Sequence, residues 1–125
     1  MPFERTVVLV VDDNRDTQEL VAVFAREAGY DVVLANNGAN GLVLIETSDV
    51  DVVIADIVMP EMGGVELANR IRALRPTIAI VLMTGYTEYV DAVINIGAIP
   101  LLKPFTSSVM TRAVEDSLDA VRGTR

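Results

Sequence analysis

The chain of 125 residues contains no cysteine and no histidine. Without cysteine there is no disulfide, no thiol nucleophile and no thiolate metal site. Without histidine there is no Ser-His-Asp relay, no imidazole-bound zinc and no phosphohistidine of the chain's own. Positive charge is scarce: ten basic residues face 18 acidic ones, for a formal net charge of -8. Such a surface repels phosphate backbones and anionic lipid, so neither nucleic acid nor a membrane is an expected partner. No apolar run is long enough to span a bilayer, and the N-terminus carries no basic-then-apolar signal segment. A cytoplasmic location is therefore expected. Any chemistry must come from carboxylates, hydroxyls, arginines, the backbone or the single lysine, Lys103.

What is present points to one globular domain over residues 1–125, with 51% hydrophobic and 22% charged residues. Short β-rich runs alternate with helical periods. Val7–Val11 is a continuous β-branched run, as in a strand buried on both faces. Leu20, Val23, Phe24 and Ala28 then recur at helical spacing, with Gly29 as a stop. Further strands are predicted near Val32–Leu34, Val50–Asp56, Ile78–Thr84 and Leu101–Lys103. The intervening helices carry Leu42 and Ile45 (a short one), then Leu67, Ile71 and Leu74, then Tyr89, Val93 and Ile96. The last helix carries Met110, Val114, Leu118 and Val121, and only the final few residues are expected to fray. Five strands alternating with five helices give an α/β class, a flavodoxin-like doubly wound parallel sheet of order 2-1-3-4-5. Right-handed crossovers collect the strands' carboxyl ends on one edge, where such sheets bind ligands.

Four apolar runs end at residues that can do chemistry: at Asp12-Asp13, at Asp56, at Thr84 and at Lys103. Any one position alone reads as a solvated strand end, and Asp12-Asp13 alone as a turn or helix cap. Their coincidence on one edge is harder to dismiss. Two carboxylates about 4 Å apart repel by roughly 4 kcal/mol at an effective dielectric of about 20. Either one stays protonated or a cation neutralises the cluster. Hard oxygen donors without His or Cys favour Mg²⁺ or Mn²⁺, and Mg²⁺ recruits phosphate oxygens. Lys103 would supply a compact cation to a phosphoryl oxygen, Thr84 a hydroxyl donor, and Asp56 a carboxylate nucleophile.

These segments resemble those of the response-regulator receiver domains of two-component signalling. Val10-Val11-Asp12-Asp13, Asp56 through Gly64, Met83-Thr84-Gly85 and Lys103-Pro104-Phe105 match the family's signature segments in order and spacing, across essentially the whole chain. The resemblance implies that Asp56 accepts a phosphoryl group from a phosphohistidine on a sensor kinase or phosphotransfer protein. It implies Mg²⁺ held by Asp13, Asp56 and the Val58 carbonyl, with Asp12 holding a metal-bound water. Lys103 would contact the acyl phosphate, Thr84 would move toward it, and the Lys103-Pro104 bond would be cis.

One position departs from the pattern. Three residues before the lysine the family carries an aromatic ring; here stands Pro100, with no ring to rotate, which locally reads first as a plain strand opener. Switching is then expected to run through Thr84 and the loop Gly85–Thr87. Val58 and Tyr86 occupy positions that, by the resemblance, flank the attacking water, or else serve only surface packing. Apolar Val90 and Ile94, beside the presumed core face of their helix, mark a candidate partner or homodimer surface.

The expected function is a phosphorylation-controlled switch of protein–protein interactions, and not an enzyme beyond its own phosphorylation and dephosphorylation. The downstream target is another, unidentified protein. One version acts alone; another is a receiver module of a hybrid sensor kinase relaying phosphate onward. An alternative class is a small Mg²⁺-dependent phosphohydrolase, separable by turnover of phosphate esters. A flavodoxin-like binding module is the third, and failure to bind Mg²⁺ would favour it.

Overall fold

The computed structural model describes residues 5–123, so the expected fraying at 124–125 lies outside the described residues. Five strands, β1 (Val7–Val11), β2 (Asp31–Ala35), β3 (Val52–Asp56), β4 (Ala79–Thr84) and β5 (Ile99–Leu102), form one sheet of order β2-β1-β3-β4-β5. All four pairings are parallel. Five α-helices connect and follow them: α1 (Arg15–Glu27), α2 (Gly38–Thr47), α3 (Gly64–Leu74), α4 (Val90–Asn95) and α5 (Ser107–Arg122). A 3₁₀ turn, Thr87–Tyr89, precedes α4.

The sheet is apolar on both faces because each face carries helices. Alternation divides its residues. Val8, Val10, Val52, Ile54, Val81 and Met83 face α1 and α5, meeting Val21, Ala25, Met110, Val114 and Leu118. Leu9, Val11, Val53, Ala55, Ile80 and Leu82 face the other layer, meeting Ile45, Leu67, Ile71 and Val93. Burying one such side chain contributes about 1.5–3 kcal/mol, so the central strands are the rigid base for whatever sits at their ends.

Helix ends follow local chemistry. The Asn14, Asn37 and Thr106 side chains accept from the backbone N–H three residues on and cap α1, α2 and α5. Gly29, at φ +94°, ends the α1 turn as expected.

Several expected details shift. On α1 the buried residues are Gln18, Val21, Ala22 and Ala25, while Leu20 and Val23 are exposed. Gln18 goes inside because its amide donates to Ala35 O at 2.9 Å and Asn36 Oδ1 at 3.2 Å. Leu74 is exposed at the end of α3, and Tyr89 lies in the 3₁₀ turn rather than on a core helix face. α2 runs ten residues rather than one short stretch. β5 begins at Ile99 and stops at Leu102, leaving Lys103 just beyond the strand.

Candidate functional site

The strand register assembles the site. Val11 pairs with Ala55 and Ala35, Asp56 with Met83, and Thr84 with Leu102. Backbone bonds extend this pairing past the strand ends: Asp12 N donates to Ala35 O at 3.2 Å, Ile57 N to Met83 O at 3.0 Å, and Lys103 N to Thr84 O at 2.8 Å. Asp12, Asp56, Thr84 and Lys103 therefore lie along one carboxyl edge, anchored to a rigid sheet.

Asp56 is 8% exposed. Its Oδ1 accepts from Val58 N at 3.0 Å, and its Oδ2 forms an ion pair with Lys103 Nζ. The Lys103–Pro104 peptide is cis. Asp12 is only 1% exposed. Its Oδ1 accepts from Asn14 N at 2.9 Å, but its Oδ2 is buried with no hydrogen-bond partner. Burial pushes the Asp12 carboxyl above the ordinary aspartate range, and the Asp56 and Asp13 charges push the same way. The Asn14 hydrogen bond and the Lys103 ammonium oppose them. Asp13 and Val58 are exposed at the rim. Thr84 is buried, and its Oγ1 accepts from Tyr86 N at 3.0 Å and donates to Tyr86 O at 3.4 Å.

Among the described residues, no group of three or more carboxylates is gathered closely enough to hold a metal by itself. Lys103, rather than a third acid, neutralises Asp56. The donor set nonetheless fits Mg²⁺, which keeps most of its waters and takes one or two carboxylates plus phosphate oxygens. The orphaned Asp12 Oδ2 carries this fit. A buried anionic oxygen without a donor is costly, and a hydrated cation beside it supplies what it lacks.

Two supports at the site leave little trace in the sequence. A Cβ on Gly64 would lie 2.5 Å from Asp56 O, and one on Gly63 would lie 2.7 Å from Ile57 O. This Gly-Gly pair lets α3 close under the end of β3, where Gly64 N donates to Ile57 O at 2.9 Å. The only sequence signal was the doublet itself. The second support is the Tyr86 backbone, which holds the Thr84 hydroxyl; no sequence signal marks it.

A doubly wound sheet with an acid just past β1 and another at the end of β3, a hydroxyl at the end of β4 and a lysine after β5 defines a receiver-type signalling domain. The sequence matches the model of the response regulator receiver domain over residues 8–115, and the chain belongs to that family. It is homologous to response regulators and to the receiver modules of sensor kinases, and its family consists of signalling switches in two-component systems that typically use Mg²⁺. The transcriptional regulatory protein ZraR of Klebsiella oxytoca is 33% identical over 98% of this chain and 28% of its own length. The CAI-1 autoinducer sensor kinase/phosphatase CqsS of Vibrio cholerae is 38% identical over 64% of this chain and 12% of its own length. The chain thus spans under a third of the length of these curated relatives. The chemotaxis protein CheY4 of Vibrio cholerae superposes with a TM-score of 0.85 at 28% identity, covering 92% of this chain and 100% of that one. Among the described residues, no helix is long and apolar enough to cross a membrane.

Proposed function

We propose that Asp56 is the phosphoacceptor of this receiver domain, and that residues 1–125 act as one receiver unit in the cytoplasm. The observation that carries this reading is the pairing of Asp56 with Lys103 beside the half-satisfied carboxylate of Asp12. A carboxylate oxygen of Asp56 attacks the phosphorus of a partner's phosphohistidine. The P–N bond breaks, its electron pair stays on the imidazole nitrogen, and a P–O bond to Asp56 forms. Lys103 then exchanges its carboxylate partner for a phosphoryl oxygen, so its charge is already in place. Thr84 turns its hydroxyl from Tyr86 O toward another phosphoryl oxygen. Asp13, Asp56 and the Val58 carbonyl would hold Mg²⁺, with Asp12 on a metal-bound water. When bound, the ion would neutralise negative charge on the phosphoryl oxygens. Chemistry is confined to the domain's own phosphorylation and dephosphorylation.

The donor is a sensor kinase or phosphotransfer protein, and the output is a change in binding to another protein. The face formed by α4, β5 and α5 suits that output or a homodimer. It holds an apolar groove of about 620 Å³ lined by Val90, Pro100, Leu102 and Val109, with Ile94 exposed on α4. A relay role within a hybrid kinase is a second reading, favoured by the similarity to CqsS. Intact mass after incubation with acetyl phosphate and Mg²⁺ tests the core of the proposal. One added phosphoryl group is expected in the native chain and none in Asp56→Asn. Equal masses for the two would overturn it.

A further inference from the structure

Four interactions converge on Tyr86, at the end of the β4 edge. Its N–H donates to Thr84 Oγ1 at 3.0 Å. Its carbonyl accepts both from Thr84 Oγ1 at 3.4 Å and from Tyr89 N at 3.2 Å. Its ring meets the Tyr89 ring edge to face, with centroids 6.0 Å apart and planes at 87°. The Thr84 hydroxyl and the Tyr89 amide thus share one acceptor, and the two rings fix the residue that carries it.

Little else on this segment does so. Tyr86 and Tyr89 are 57% and 38% exposed, and neither belongs to a core cluster. The 3₁₀ turn has no side-chain cap, and α4 behind it is six residues long. β5 offers no ring from the sheet side, because Pro100 stands opposite Leu82. The long Thr84–Tyr86 carbonyl bond is the weaker of the two that hold the hydroxyl, so the hydroxyl is restrained but easily withdrawn.

We propose that Tyr89 is a positioning residue for Thr84: by clasping Tyr86 edge to face, it holds the Thr84 hydroxyl in its resting position and sets how readily that hydroxyl turns toward Asp56. The inference rests on the phosphoacceptor reading for its functional consequence, but not for the clasp itself. Moving the hydroxyl to a phosphoryl oxygen gives up its bond to Tyr86 O. That motion leaves the carbonyl to Tyr89 N alone, loosens the ring pair and passes to the 3₁₀ turn and α4, which is how the site would reach the α4 face. An aromatic edge contact of this kind shifts the ratio of two loop positions by about two- to tenfold.

The test has two arms, in the full chain. Without ligand, hydrogen exchange of the Tyr86 amide is compared by NMR among native, Tyr89→Phe and Tyr89→Ala proteins. Tyr89→Ala is expected to lose protection by about two- to tenfold, while Tyr89→Phe keeps the ring contact and stays native-like. Tyr86→Ala, which removes the other ring, should weaken the same amide, and the double variant should add nothing further. With beryllofluoride and Mg²⁺ as a phosphoryl mimic, Tyr89→Ala should bind about two- to tenfold more tightly than native, because the resting restraint is gone. Unchanged Tyr86 protection in Tyr89→Ala, or equal loss in Tyr89→Phe, would overturn the clasp. Intact protection loss with unchanged or weaker mimic binding would overturn its role in switching. Failure of the native chain to bind the mimic at all would instead strike the phosphoacceptor reading, and the amide arm would still decide the clasp.

Discussion

Replacing Asp12 by asparagine should stabilise the protein without Mg²⁺ and remove most of the stability that Mg²⁺ adds. Asp12 is 1% exposed, and only one of its two carboxylate oxygens has a hydrogen-bond partner. Asparagine has the same shape, keeps an oxygen for the Asn14 N–H and offers an N–H donor toward the neighbouring acids. Removing the stranded anionic oxygen is worth about 1–3 kcal/mol. For a domain of this size that is about 4 °C in Tm per kcal/mol. The pH dependence has a definite sign. The native carboxyl titrates above its ordinary value of 3.8 because burial disfavours the charge. The folded state then holds a proton that the unfolded chain has already released, so native stability falls as pH rises through 3.8 toward the raised value. Asp12→Asn lacks this loss. The difference between the two proteins should be small below pH 3.8 and reach its full size above the raised pKa.

Urea unfolding in EDTA, repeated across pH, measures the gap. Mg²⁺ at a hundredfold excess over its dissociation constant should then add about 2.7 kcal/mol to the native protein. Asp12→Asn should forfeit most of that gain, so its advantage without Mg²⁺ shrinks to near zero or reverses. A variant less stable than native in EDTA would mean that Asp12 serves the Asn14 turn more than any ion. Equal Mg²⁺ gains in both proteins would show that its free oxygen has no part in holding one.

Three other perturbations probe the same edge. Gly64→Ala should destabilise by about 1–3 kcal/mol in urea unfolding and abolish phosphorylation, since the added carbon would sit 2.5 Å from the Asp56 carbonyl. Native-like stability would refute the close approach. Lys103→Met should cost about 2 kcal/mol, below the roughly 3–5 kcal/mol of a fully buried pair, because 29% of the lysine side chain is exposed. It should also leave Gly85 and Tyr86 amide shifts unresponsive to beryllofluoride, and a native response would remove the lysine from the switch. Val58→Asn with Tyr86→Glu should shorten the phosphoryl half-life roughly tenfold, about 1.4 kcal/mol of barrier, because two exposed apolar side chains give way to groups that orient water. An unchanged decay of the phosphorylated mass would leave both as packing residues.

The sheet was legible because its strands are continuous β-branched runs and its helices are periodic, so the two signals do not compete. β1 and the strand order match the expectation residue for residue. Helix faces were less legible. α1 carries more large apolar residues than it buries, and the layer against the sheet is filled by Ala22 and Ala25 beside Val21. Helical spacing among the apolar residues therefore pointed to Leu20 and Val23, which face outward. Tyr89 was misplaced for a related reason. Helical spacing from Val93 suggests a core position, but the segment before Val90 winds as a 3₁₀ turn, and three residues per turn rotate Tyr89 off that face.

The site divides in the same physical way. Residue type at a strand end was enough to nominate Asp12, Asp56, Thr84 and Lys103, because a parallel sheet brings all its carboxyl ends together. What those groups do before any phosphoryl arrives was not readable, since it depends on which partner each reaches at rest. Lys103 neutralises Asp56, and Thr84 is bound by the backbone of Tyr86. Both interactions compete with the bonds the phosphorylated state would need, so they set the free-energy cost of switching as directly as the new bonds set the gain. Under the proposed reading, the resting lysine–aspartate pair keeps Asp56 buried and neutralised, and the Tyr86 backbone holds the Thr84 hydroxyl at rest. Residues that control the resting bonds, Tyr89 among them, can therefore tune the switch without ever touching a phosphoryl oxygen.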